Sequence, residues 1–250
     1  MTPVLPPSKK RASAADEPVG DSPAAGDFRV RVAREKRQRM RERLTQATMD
    51  AYLEAPPGAR PVIDDVVRLA GVSRGSFYKY FDSVDEIVEE LGQQMMEATL
   101  ASFDRVFKGL HDPAARVAAG PLLSLCHAAM EPRHVAFVSR VNFVHYMARA
   151  DLHGGAVVKR YLIDARDAGA FRFDSMHAAL DLIVGASREA ALRILEDPRL
   201  DAAYIRELTT MTLLGLGMNR KAAERAVKAA WEHFLQHAGE LPWWRPVVAV

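Results

Sequence analysis

The stretch Ala70-Gly71-Val72-Ser73-Arg74-Gly75-Ser76-Phe77-Tyr78-Lys79-Tyr80-Phe81 reads as a tight turn feeding a short helix. Gly71 can take the positive φ that a sharp turn between helices needs, because it has no Cβ to clash. Ser73 is suited to cap the next helix, its side-chain oxygen accepting a free N–H two or three residues on. Phe77 and Phe81 stand four apart and would face inward together, leaving Arg74, Ser76, Tyr78, Lys79 and Tyr80 elsewhere around the helix. Small, polar, basic and aromatic groups on the open side of a helix after a tight turn are the layout of a helix-turn-helix, whose second helix enters the DNA major groove.

The flanking residues extend the unit. Ile63, Val66, Val67 and Ala70 follow an i, i+3, i+4, i+7 stripe on a short preceding helix. Met40, Leu44, Ala47, Thr48, Ala51 and Tyr52 do the same on a longer helix that should end before Pro56-Pro57-Gly58. Downstream, Ser83 should cap a helix starting Val84-Asp85-Glu86-Ile87, with acids at its dipole-positive end.

In order and spacing, Leu44, Ala47 and Tyr52, then Ala70-Gly71-Val72-Ser73, Gly75, Tyr78, Phe81 and Ser83, resemble the N-terminal domain of TetR-family transcriptional regulators. The resemblance covers about residues 34–91; the rest fits by length and helicity. It implies that Arg74, Ser76 and Lys79 point to base edges. Arg74 would suit guanine O6 and N7, and Lys79 either a guanine or a phosphate. Tyr78 and Tyr80 match positions that bond phosphates, although Tyr80 could instead pack on the first helix. Ser73 would hold the turn, and Gly75 would keep the helix surface low enough for DNA to approach.

Three positions depart from the family pattern. Val62 stands where a Ser or Thr usually caps the second helix, Val67 is larger than the usual Ala, and Val84 replaces a Lys that often meets a phosphate. Loss of that cation should flatten the salt dependence of binding by about one unit of slope unless another residue substitutes. A substitute is near: between Arg29 and Arg43 lie seven arginines and Lys36 against only Glu35 and Glu42. That is a local excess of six in a chain of net charge +2. Beside this motif it suggests phosphate contact, with Arg37 and Arg41 as candidates, and an arm toward the adjacent minor groove. The plainer alternative is a solvated helix start.

With 250 residues and 49 % hydrophobic content, the chain can bury a core in one or two domains. Its single cysteine, Cys126, excludes an intrachain disulfide framework and suits a reducing compartment. No apolar run approaches the ~18–20 residues of a membrane span, and the Pro-containing N-terminus lacks the apolar core of a signal peptide. A soluble cytoplasmic protein is therefore expected. Residues 1–27 read as a disordered tail, 28–83 as the helix-turn-helix domain and 84–250 as a helical ligand-binding and dimerisation domain.

The fold expected is all-α, a three-helix head joined to a C-terminal helical domain, with about ten helices. Beyond residue 84 breaks fall at His111-Asp112-Pro113, Gly154-Gly155 and Gly169, with caps at Asp174 or Ser175 and at Asn219. The small residues of 178–192 permit close approach of helices. The resemblance implies that such helices pair across a two-fold axis, so that a homodimer reads two halves of a palindromic operator in double-stranded DNA; an intramolecular core pair is the alternative.

The family's C-terminal helices commonly enclose an effector pocket. Met95, Phe103, Met130, Phe137, Phe143, His145, Tyr146 and Met147 are the candidate lining, which favours an apolar effector; each could equally be core. Arg133, His134, Arg140 and His145 could bind an anionic group or lie on the surface. The eight histidines show no HExxH, and there is no cysteine pair, glycine-rich phosphate loop or GxSxG, so no enzyme, cofactor or metal site is expected. The function expected is a homodimeric repressor released from its operator by a small apolar effector. The alternative is a DNA-binding regulator without one, controlled by a protein partner, constitutive, architectural or activating.

Overall fold

The computed structural model describes residues 23–56, 58–141, 154–197, 199 and 201–245. Among them the chain is all-α, with ten helices: α1 (Pro23–Glu54), α2 (Ile63–Ala70), α3 (Arg74–Phe77), α4 (Val84–Phe107), α5 (Pro113–Met130), α6 (Pro132–Arg140), α7 (Gly154–Asp167), α8 (Met176–Glu196), α9 (Ala202–Gly215) and α10 (Arg220–His237). A 3-10 turn, Ala238–Glu240, follows α10.

The expected punctuation recurs in the hydrogen bonds. Asp112, Ser175 and Asn219 accept the N–H three residues on and cap α5, α8 and α10, and Pro113 opens α5. Gly169 has φ +75° and closes the turn after α7. The first helix departs from expectation. It begins at Pro23, so residues 23–27, assigned above to the tail, are helical. Pro supplies the fixed φ of a first turn and Ala24-Ala25 are strong helix formers.

The chain forms two compact units, one ending at Glu42 and one running from Arg43. In the first, residues 30–39 are all exposed. Its helix is braced on its own surface by Gln38 to Glu42 at 3.0 Å and by Arg39 to Glu35 at 3.9 Å. The second unit opens with Leu44, buried completely, and Ala47, Met49, Ala51 and Tyr52 follow it into a core.

Within the second unit α5 is the central rod, packed against α4, α6, α7, α8, α9 and α10. Its sequence explains that position. Ala114, Ala115, Ala118, Ala119 and Ala128 are buried, and their small side chains let neighbours approach from every side. Phe107, Leu122, Leu125, Leu162, Leu213 and Phe234 fill the space between those helices. α8 turns Ala179, Ile183, Ala190 and Ile194 inward, and α9 turns Ile205, Thr209 and Leu213 inward. A Cβ on Gly215 would sit 2.7 Å from Leu182 Cδ2, so α9 meets the tip of the Leu182 side chain of α8 here. The two tryptophans near the end pack on the body: Trp243 meets His127 at 4.8 Å and Trp244 meets Phe234 edge-on at 5.0 Å. No helix among the described residues is long and apolar enough to cross a membrane.

Candidate nucleic-acid interface

α2 ends in a left-handed residue, Gly71, at φ 59° and ψ 42°. Gly71 N–H donates to the Arg68 carbonyl and Val72 N–H to the Val67 carbonyl, so the last carbonyls of α2 are satisfied within the turn. At the other end of α2, Val62 offers no side-chain cap. Asp65 compensates by accepting the Val62 N–H at 3.0 Å, half of a capping box. The departure at Val62 is thus absorbed locally. Val84, which replaces the usual Lys, is buried and supplies no cation.

Ser73 caps α3, its Oγ accepting the Ser76 N–H at 3.2 Å. α3 is only one turn long, and the chain continues through tight turns to Phe81, whose N–H donates to the Phe77 carbonyl. Phe77 and Phe81 are buried with ring centroids 6.3 Å apart, as the four-residue spacing requires. That burial anchors the segment and fixes which side faces solvent. Arg74, Gly75, Tyr78 and Lys79 are exposed there, while Ser76 and Tyr80 are half-buried. Tyr78 and Phe77 meet edge to face at 5.7 Å, and Tyr78 is 53 % exposed. Beyond the segment, Ser83 Oγ accepts the Glu86 N–H and begins α4.

Two polar contacts on this face were not legible in the sequence. Arg74 Nε lies 3.3 Å from Asp64 Oδ1 on α2, and the Ser76 and Ser73 hydroxyls are 3.1 Å apart. Asp64 therefore lies on the candidate interface, in direct contact with Arg74. Arg43, the last arginine of the basic stretch, brings Nη2 to 3.0 Å from where a Gly71 Cβ would stand. Gly75 has open space around it, the nearest atom to an added Cβ being Ser73 Oγ at 4.0 Å. Arg37 is exposed and Arg41 half-buried on α1.

The expected effector residues separate. Phe103 stacks on Tyr161 at 5.5 Å and meets Phe107 at a tilt at 5.1 Å; Phe137 is buried edge-on to Tyr52 at 5.6 Å; Met95 and Met130 are half-buried. Phe143, His145, Tyr146 and Met147 lie outside the described residues. Arg133 and Arg140 are engaged by groups of the chain itself. Arg133 pairs with Asp50, and Arg140 donates to the carbonyls of Tyr52 and Ala55. His134 stacks on His127 at 5.8 Å.

Comparison with known proteins agrees with this geometry. Residues 58–91 match the family described as bacterial regulatory proteins, tetR family. No curated protein matches the chain in sequence. Among solved structures, RolR in complex with resorcinol is 17 % identical, with TM-score 0.51 over 77 % of this chain and 95 % of that one. The fatty acid degradation regulator FadR from Bacillus halodurans is 15 % identical, with TM-score 0.59 over 72 % of this chain and 97 % of that one. A gamma-butyrolactone receptor, ArpA-like, is 13 % identical, with TM-score 0.52 over 81 % and 99 %. Residues 58–91 thus match the tetR-family helix-turn-helix model, and the fold is similar to that of these solved structures.

Proposed function

We propose that this regulator is a homodimeric repressor that reads a palindromic operator and leaves it when a small apolar effector binds. The observation that carries the reading is the solvent face of residues 73–80, where Arg74, Ser76, Lys79, Tyr78 and Tyr80 surround a backbone pinned by buried Phe77 and Phe81. Arg74 and Lys79 read base edges, the tyrosines hold phosphates, and Arg37 and Arg41 supply the non-specific attraction. Residues 28–83 are the reading head and 84–250 the effector and dimerisation domain.

Dimerisation through α8 and α9 is supported by their outer face, where Ala178, Leu182 and Gly185 lie exposed on α8 and Met211 is 61 % exposed on α9. A single head makes few base contacts, and a two-fold pair doubles them. The effector reading is supported by RolR, similar in fold, being solved with resorcinol. The protein then acts in the cytoplasm, where its DNA lies.

Selection of bound duplexes from a random pool, at about 150 mM salt to suppress non-specific binding, tests the reading. An enriched palindrome is expected, and it becomes the probe for a screen of small apolar compounds by loss of binding. Unpatterned enrichment would overturn the operator reading. A palindrome that no compound releases would favour a regulator without a small-molecule effector.

A further inference from the structure

A cleft of about 260 Å³ is bordered by Tyr52 near the end of α1, Arg60 in the loop that follows, Asp85 and Val88 at the start of α4, and Arg140 and Val141 at the end of α6. None of the residues expected to line an effector pocket borders it, and none of the candidate DNA contacts does. Each wall has a local cause. Gly58 turns the loop at φ +80°, and the Ala59 N–H donates to the Pro56 carbonyl at 3.0 Å, which folds the loop back before Arg60. Ser83 caps α4, so Asp85 and Val88, three apart, share one side of its first turns. Arg140 is already engaged, donating to the carbonyls of Tyr52 and Ala55.

Tyr52 is the buried member, 5 % exposed, its ring edge-on to Phe137. Buried tyrosines ordinarily place the hydroxyl against a partner. This one makes no hydrogen bond with any described residue. Burial holds the hydroxyl above its ordinary value of 10; the Asp85 carboxylate pushes it the same way, and the Arg60 guanidinium pulls it down. An anion and a cation on the cleft wall therefore both lie close enough to act on one unsatisfied hydroxyl. Neither Arg60 nor Asp85 is paired with an opposite charge among the described residues.

The matching ligand carries an anionic group for Arg60, a cationic group close beside it for Asp85, and an apolar remainder for Val88 and Val141. A phenol between the two charges can donate to the one or accept from the other. Opposite charges on neighbouring atoms with a short apolar branch are the chemistry of an aliphatic α-amino acid. The size agrees: at about 30 Å³ per water-sized group, 260 Å³ holds about nine such groups, the number of heavy atoms in leucine.

We propose that this cleft binds a small zwitterion of the aliphatic α-amino acid class, carboxylate on Arg60, ammonium on Asp85 and side chain against Val88 and Val141, with the Tyr52 hydroxyl between the charges. The site is distinct from that of an apolar effector, and it stands or falls without reference to an operator.

Thermal unfolding of the full chain is recorded with alanine, valine, isoleucine or leucine. Exposed charges give modest affinity; with a Kd of about 1 mM, about 10 mM of the fitting amino acid raises the midpoint by about 3–6 °C. The compounds 4-methylpentanoate and 3-methylbutylamine, leucine without its ammonium and without its carboxylate, are expected to give less than half the shift of leucine. Calorimetric titration then separates the roles. Arg60→Gln, Asp85→Asn and Tyr52→Phe are each expected to weaken the amino acid about tenfold or more, as loss of a hydrogen bond to a charged group implies. Tyr52→Phe keeps the ring on Phe137, and the other two positions are exposed, so all three are expected to fold. Asp85→Asn should leave 4-methylpentanoate binding as it was, which a general distortion of the cleft would not. No shift with any of the four amino acids would overturn the proposal. So would amino-acid binding that survives Arg60→Gln and Asp85→Asn, or 4-methylpentanoate binding as tightly as leucine.

Discussion

Arg74 Nε stands 3.3 Å from Asp64 Oδ1, so the arginine proposed to read a guanine is paired with an acid of the preceding helix. Both side chains are more than half exposed, at 60 % and 64 %, and such a pair contributes about 0–1 kcal/mol to stability. Its importance is electrostatic. On the proposed reading, Asp64 is the counter-ion that Arg74 exchanges for DNA, and its negative charge lies on the side where phosphates approach.

Asp64→Asn is therefore expected to leave the unfolding midpoint nearly unchanged, to tighten binding to every duplex, and to lower the ratio of cognate to random affinity. Fluorescence anisotropy on a selected and a scrambled duplex measures both numbers. Weaker binding to the two alike would show instead that Asp64 orients Arg74 for contact.

Arg74→Ala should cost about 1–3 kcal/mol on the cognate site and little on random DNA, because bidentate base recognition is lost while phosphate attraction stays. Arg37→Ala and Arg41→Ala should weaken binding to both equally and each reduce the salt slope by about one. Titrations across several salt concentrations separate the two patterns, and equal loss on both duplexes for Arg74→Ala would remove its base-reading role.

Gly71 is in the left-handed region at φ 59°. An L side chain there costs about 1–2 kcal/mol, which lowers Tm by about 2–8 °C in a chain of this size. The added Cβ would meet only the end of Arg43, which can swing aside, so Gly71→Ala should fold and lose stability by backbone strain alone. Calorimetry reads the shift; no change would mean the turn relaxes out of the left-handed conformation.

His127 is held below its ordinary value of 6.5, first by burial and then by the neighbouring His134, with Glu131 pulling the other way. The folded state thus binds this proton less readily than the unfolded one. Its contribution is present above about pH 6.5 and lost as pH falls below it. Thermal unfolding followed from about pH 7.5 to 5.5 should show a falling midpoint, with a flatter slope in His127→Gln. Trp243, edge-on to His127 at 4.8 Å, supplies a fluorescence signal for the same change. Identical slopes in the two proteins would remove His127 from the account.

Burial pushes the Cys126 thiol up to about 12. The folded protein should not react with a thiol reagent near pH 8, where an exposed cysteine is partly thiolate. Reaction is expected only as the chain unfolds, and its rate then reports opening of α5.

The turn and its helix were legible in the residues because every relation they depend on is local. Gly71 bonds Arg68 three positions back and Val72 bonds Val67 five back, Ser73 caps the N–H of Ser76, and Phe77 and Phe81 lie one helical turn apart. Such geometry follows from backbone sterics and helical period, whatever the rest of the chain does. The same holds for the caps at Asp112, Ser175 and Asn219 and for an all-helical body. The tertiary structure decided the rest. Only folding brings Asp64 to Arg74, Asp50 to Arg133, and the end of α1 to Arg140, more than 80 residues away. In the sequence Arg133 and Arg140 are two charges with no visible partner, and they read as well for an anion site as for contacts within the chain. Charge and hydrogen-bonding capacity are properties of a residue; which group satisfies them is set by how the helices pack around α5.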